Sequence, residues 1–219
     1  MEEYFDQGSL SPEHLLEGLK AAVKERRIFP VLCAAASLNI GTDRILDFIV
    51  DYLPAPTERN AIKAKSGDEE VVRPVSESEP ASAFVFKTIA DPFAGRISYF
   101  KVYSGSIKND ANLQNSRTGT LERLAHLGAP LGKTIQPVTE LHAGDIGAVA
   151  KLKDTLTNDT LADKGVTLAY VGVKLPEPSI AYAMEAKSRQ DEDRMGNAIA
   201  KILEEDPSLR FYRDPQTKE

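Results

Sequence analysis

The spacing of apolar positions changes several times along the chain. Leu15, Leu16, Leu19, Ala22 and Val23 recur at helical spacing behind Ser11-Pro12-Glu13. Ser11 can cap this helix, Pro12 suits its first position, and Glu13 faces the positive end of the dipole. The helix is predicted to stop near Arg27, ahead of Phe29-Pro30. Val31-Leu32-Cys33-Ala34-Ala35 is a continuous apolar run, as a strand buried on both faces would show, and it predicts Cys33 as an inert core thiol. A second helix, capped by Thr42 or Asp43, carries Ile45, Leu46, Phe48 and Ile49 on one side and ends at Leu53-Pro54-Ala55-Pro56. Helix, buried strand, helix is a piece of an α/β layer. Residues 57–79 have no apolar period, and Ser66-Gly67-Asp68-Glu69-Glu70 and Ser76-Glu77-Ser78-Glu79 predict an exposed linker or long loop.

From Ala81 the period becomes two. Phe84 and Phe86 share a strand face, and Asp91-Pro92-Phe93-Ala94-Gly95 is turn chemistry. Ile97, Tyr99, Lys101 and Tyr103 then alternate with Ser98, Phe100, Val102 and Ser104, up to a break at Gly105. Residues 113–117 and 120–127 read as a hairpin about Thr118-Gly119, and residues 146–152 and 166–173 as further strands. Short strands with turn signals and no helical period across residues 80–175 predict a small closed β-barrel. Beyond it, Ile180, Tyr182 and Met184 alternate as a strand. Ser188 opens a helix carrying Met195, Ala198, Ile199, Ile202 and Leu203, which Asp206-Pro207 closes, and Leu209 and Phe211 start another strand. Such a β-α-β piece is half of a split βαβ domain. The fold class is therefore a multi-domain α+β chain: an α/β portion over 1–56, a linker over 57–79, a barrel over 80–175 and a partial ferredoxin-like βαβ over 176–219.

Charge refines this picture. The 219 residues carry a formal net charge of −6, yet residues 80–175 hold 11 basic and 8 acidic side chains. The single cysteine forms no internal disulfide, the N-terminal residues lack a secretory pattern, and the longest apolar run, residues 28–38, is too short to span a bilayer. The expectation is a soluble, cytoplasmic chain with no membrane and no DNA partner. His14, His126 and His142 lack metal-ligand spacing, so no metal site is expected. Gly128-Ala129-Pro130-Leu131-Gly132-Lys133-Thr134 imitates a phosphate loop. It has three residues between its glycines where four are needed, and Pro130 removes an amide from the would-be nest; a hairpin loop is the better reading.

The strings in order resemble bacterial elongation factor G. Residues 29–36, Asn39-Ile40-Gly41 and residues 47–56 resemble the end of its GTPase domain. Residues 83–96, Val102-Tyr103-Ser104-Gly105, residues 143–149, Leu152-Lys153-Asp154-Thr155 and Asp159-Thr160-Leu161 resemble its second domain. Pro176-Glu177-Pro178, Glu185-Ala186-Lys187-Ser188 and residues 204–210 resemble the start of its third. Between Thr120 and Pro137, Glu122, His126 and the Gly-rich residues 127–133 stand where the translocase has more basic residues, a departure shared with elongation factor G-like paralogues. The resemblance implies a fragment of a GTP-hydrolysing translation factor, with GTP/GDP and Mg used by the parent protein and no cofactor bound by the fragment alone. It implies a guanine-loop remnant at Ala35, Ala36 and Ser37, with Ala35 lacking the family's hydroxyl. The partners it implies are the ribosome, small-subunit ribosomal RNA and the other domains of the same chain. Arg96, Lys101, Lys108 and Arg117, on or beside barrel turns, are the candidate RNA contacts. A free-standing barrel that binds RNA or protein with no GTPase is the other expectation the residues allow.

Overall fold

Ser11 and Pro12 open a helix as their positions predict. In this computed structural model, which describes residues 2–59 and 61–212, α1 (Glu2–Gln7) is followed by α2 (Pro12–Lys24), with the Ser11 hydroxyl accepting from the His14 amide at 3.4 Å. The helix α3 (Thr42–Tyr52) packs against α2 and stacks Phe48 on Tyr52 at a ring-centroid distance of 4.6 Å. The N-cap of α3 is Gly41, at φ 77°, rather than Thr42 or Asp43, which lie in its first turn.

The buried strand expected between these helices does not form. Val31 is 89% exposed, Cys33 is exposed rather than buried, and the chain closes instead into a tight loop. Ala35 and Ile40 exchange backbone bonds of 3.1 and 3.2 Å around the short 3₁₀ turn Ala36–Leu38, with Asn39 at φ 53°. An apolar run becomes a strand only where neighbouring strands take up its amides and carbonyls. Among the described residues this unit, which ends at Arg59, supplies none.

Past Arg59 lies a second compact unit. It begins with a hairpin, β1 (Ile62–Ser66) and β2 (Glu69–Arg73), where the sequence predicts a linker over residues 57–79. The mixture of lysines and glutamates around Ala64 and Val71 hides a strand face that buries Ala64. The barrel strands follow: β3 (Ser82–Asp91), β4 (Gly95–Ser104), β5 (Ser106–Lys108), β6 (Asn112–Asn115), β7 (Leu121–Arg123), β8 (Gly128–Leu131), β9 (Thr134–Pro137), β10 (Glu140–His142), β11 (Ile146–Ala150), β12 (Thr160–Ala162) and β13 (Ala169–Tyr170). Eight of them form one antiparallel sheet in the order β7-β6-β12-β3-β4-β11-β8-β9. The sheet curls into a half-barrel rather than closing on itself. The ribbon β5–β10 stands apart, tied in by bonds from the Asp110 amide to Leu124 O and from the Leu127 amide to Asn109 Oδ1. Phe100, Val102, Ile107, Leu113, Leu124, Leu127, Val149 and Leu161, all at most 1% exposed, fill the interior.

β13 pairs with β1, and the three-stranded sheet so formed covers Phe84 and Tyr103 on the outside of the half-barrel. A chain of hydroxyls pins it there. Ser104 donates to Pro80 O at 2.7 Å, so it accepts from Ser82 at 2.6 Å, and Ser82 in turn accepts from the Tyr170 hydroxyl at 2.6 Å. Burial pushes the Tyr170 phenol above its ordinary range. Gly105, at φ 69°, ends β4 where a Cβ would lie 2.6 Å from the Ala81 backbone, so only glycine fits that corner. Asp91 makes the β3–β4 turn by accepting from the Phe93 and Ala94 amides at 2.8 and 2.6 Å, which holds its carboxyl below the usual range.

The final element, α4 (Arg189–Glu205), starts on Ser188, whose hydroxyl accepts from the Asp191 amide at 3.3 Å, and it packs against β3. The strands expected on either side of it are absent among the described residues. Ile180 and Tyr182 are 71% and 85% exposed, and Leu209 and Phe211 are likewise exposed, with no neighbouring strand to receive them. The strand expected over residues 166–173 shrinks to β13 for the same reason.

In limited trypsin digestion, cleavage after Lys174 and Lys187, in exposed chain outside any helix or strand, is expected to precede cleavage after Lys63 and Lys65, in the paired hairpin. Peptide mass mapping reads the order. Early loss of the hairpin would mean that residues 61–73 are a linker after all.

Candidate functional site

The connection from β11 to β12, residues 151–159, bonds to β4 at Lys151 and to β3 at Asn158 and Asp159, but its middle has no strand partner for its backbone. There the Lys153, Asp154 and Leu156 amides are satisfied by carboxylates. Glu122, at the centre of β7 and 1% exposed, accepts from the Lys153 and Asp154 amides, each at 2.9 Å, and from the Thr155 hydroxyl at 2.8 Å. Asp159, 5% exposed, accepts from the Leu156 amide at 2.9 Å and from Asn115 Nδ2 at 2.8 Å. The Arg117 guanidinium then grips Asp159 with two bonds of 2.7 Å and donates to Asp154 O at 2.8 Å. Burial by itself pushes the Asp159 carboxyl up. The bonds from Arg117, Asn115 and the Leu156 amide together outweigh it and hold the group below the ordinary range. Asp159 raises the Arg117 pKa in return.

Two of the four predicted RNA-contact residues therefore serve this loop. Arg117 is committed to Asp159, with its side chain half-exposed at 51%. Arg96 Nη2 donates to Leu152 O at 2.6 Å and to Lys153 O, and Nη1 lies 3.5 Å from Glu204 Oε1, so this side chain is only 17% exposed. The other two sit elsewhere. Lys108, on β5, lies directly across from Glu140. A hydrogen bond from Ser106 and the charge of Lys108 hold the Glu140 carboxyl below its usual range. Lys101, on β4, stands across from Phe84 on one side and Ile146 on the other. No ion pair is found for it among the described residues. The four candidates thus form two guanidinium ties on the 151–159 loop and two separate lysines.

Glu122 and Asp159 themselves escape sequence reasoning. In Leu121-Glu122-Arg123 the apolar residue is the natural inward choice, yet Leu121 is 48% exposed and Glu122 is buried. Leu124, fully buried two positions on, sets the phase of the strand. The partners of Glu122 lie more than thirty residues away, so no local pattern announces them.

The remaining motifs resolve simply. Gly132 and Lys133 occupy the β8–β9 hairpin turn, with Gly132 at φ 60°, so the phosphate-loop imitation is a hairpin. Ala35, Ala36 and Ser37 lie in and before the 3₁₀ turn of the first unit, where they offer backbone amides and the single hydroxyl of Ser37. Among the described residues no three His, Cys, Asp or Glu side chains gather to hold a metal ion, and no helix is long and apolar enough to cross a membrane.

Removing the Glu122 carboxylate leaves the Lys153 and Asp154 amides and the buried Thr155 hydroxyl without their acceptor. Glu122→Ala is expected to destabilise the second unit by on the order of 2–4 kcal/mol, read as a lower urea midpoint. An unchanged midpoint would mean that water replaces the carboxylate at no cost. The Asp159 contribution has a definite sign with pH. Its folded pKa is below the unfolded one, so the contribution is complete above about pH 4 and is lost as the pH falls through the folded value. Asp159→Asn is expected to flatten the acid limb of the stability profile.

Comparison with known proteins finds matches for two stretches of the sequence and for the backbone. Residues 80–164 match the sequence model described as elongation factor G domain 2, and residues 175–219 the one described as elongation factor G, domain III. The backbone superposes on the crystal structure of a protein from Thermus thermophilus with a TM-score of 0.78 and 32% sequence identity, over 99% of this chain. The chain spans 30% of the length of that protein. With two elongation factor G domains in sequence order on a matching backbone, this chain belongs to the elongation factor G-like family.

Proposed function

We propose that the chain works on the ribosome as part of a GTP-hydrolysing elongation factor acting in translocation, in the cytoplasm. The observation that carries this reading is the succession of domain 2 and domain III sequence in one chain. In this reading GTP and Mg²⁺ belong to the whole protein. Among the described residues, Ala35, Ala36 and Ser37 would offer a guanine base only backbone groups and one hydroxyl.

The half-barrel is proposed to touch small-subunit ribosomal RNA. Its excess of 11 basic over 8 acidic side chains supports this, but the excess is not evenly available. Arg96 and Arg117 are held by the 151–159 loop, so their removal costs stability before it costs binding. Lys101 and Lys108 are the candidates left to meet phosphate.

Binding of this kind is dominated by phosphate contacts and weakens with salt. In co-sedimentation with small ribosomal subunits, the logarithm of the affinity is expected to fall linearly with the logarithm of salt concentration between about 50 and 200 mM. Lys101→Ala with Lys108→Ala is expected to weaken binding and flatten that slope while leaving the urea midpoint in place. Failure of the unaltered chain to bind small subunits at low salt would overturn the reading.

A further inference from the structure

We infer that Tyr99, beside Lys101, is a stacking platform for an unpaired RNA base on the outer face of the half-barrel. The inference rests on the ribosomal reading above and names the side chain that meets RNA. Along β4, Tyr99, Lys101 and Tyr103 alternate with core residues Phe100 and Val102 and share the outward face. That face is occupied at both ends. The sheet of β1, β2 and β13 covers Phe84 and Tyr103, whose rings pack with Tyr170. At the other end α4 lies against β3, and Glu205 O accepts from Lys87 Nζ at 3.1 Å.

Between these covers the row across the sheet runs Lys87, Tyr99, Ala148, and the next runs Phe84, Lys101, Ile146. Phe84, Tyr103 and Tyr170 are each other's aromatic partners, and among the described residues Tyr99 joins no ring pair. Its ring is half-buried, which fixes it; of its cross-strand neighbours, Ala148 is short and itself buried, and Lys87 directs its ammonium away to Glu205 O. Ile146, 45% exposed, extends the apolar floor. A fixed aromatic ring with a free ammonium two residues along the same face is the pairing that single-stranded nucleic acid uses: base on ring, phosphate on cation. A protein partner would need a larger apolar area than one ring and one isoleucine provide.

The chain contains no tryptophan, so Tyr99→Trp places its sole indole on the platform. Two probes are titrated into the full chain at low salt: a short oligoadenylate, and an abasic ribose-phosphate strand of equal charge. Quenching of the indole by the first and not by the second is expected, and the same quenching on small ribosomal subunits. Tyr99→Ala is expected to weaken oligoadenylate binding about tenfold, and Tyr99→Phe, which keeps the ring, by less than about twofold. Lys101→Ala is expected to lower the salt slope by about 0.7. An indole indifferent to oligoadenylate and to subunits, while the chain still binds subunits in a salt-dependent way, overturns the platform and leaves the ribosomal reading standing. Equal quenching by the abasic strand also overturns it. A chain that binds neither probe nor subunits overturns both.

Discussion

The second unit is organised around a carboxylate that ought not to be buried. Glu122 lies inside the barrel wall because the middle of the 151–159 loop, at Lys153 and Asp154, has no strand to pair with and needs an acceptor for its amides. Two backbone donors and a threonine hydroxyl offset the loss of water around the charge. The neighbouring chain depends on this tie. Asp159 is brought to Asn115 and Arg117, and β12 is set between β3 and β6, where it joins β6 and β7 to the rest of the eight-stranded sheet. The sheet leaves its ends unpaired, so the tie from β7 to the loop takes over part of the role that ladder bonds have in a closed barrel.

Charge counted along the sequence and charge available on the surface are different quantities here. Arg96 and Arg117 look like surface cations from their place beside turns, yet each directs its donors to carbonyls and carboxylates of its own chain. Guanidinium, with five donors in a fixed fork, suits the tying of irregular backbone; ammonium, a point charge on a flexible stem, is left for outside contacts. The division between arginine as fastener and lysine as free charge at these four positions follows from that chemistry.

Elements whose causes are local can be read from the sequence. The helices at Pro12–Lys24 and Arg189–Glu205 announce themselves by cap and period, and the β3–β4 turn by Asp91-Pro92-Phe93-Ala94-Gly95. Elements whose causes are distant cannot. Residues 31–35 and 180–184 have strand patterns but no strand beside them, while Ile62–Ser66 has a charged, unpromising pattern and acquires two neighbours, β2 and β13. The site shows the same division. Lys101 and Tyr99 are visible as an alternating pair, whereas Glu122 is masked by a neighbouring leucine that faces out.

The hydroxyl chain under the outer sheet has one further consequence. Pro80 O has no proton to give, so the orientation of Ser104 is fixed, and with it those of Ser82 and Tyr170. Three hydrogens point along one line toward the barrel wall, and none can reverse alone without setting two oxygens lone pair to lone pair. The seam between the two sheets is therefore polar in a directional sense. A thiol or a methyl at either serine interrupts that line at a different point, which makes the pair of serines a graded control over how firmly the outer sheet is seated.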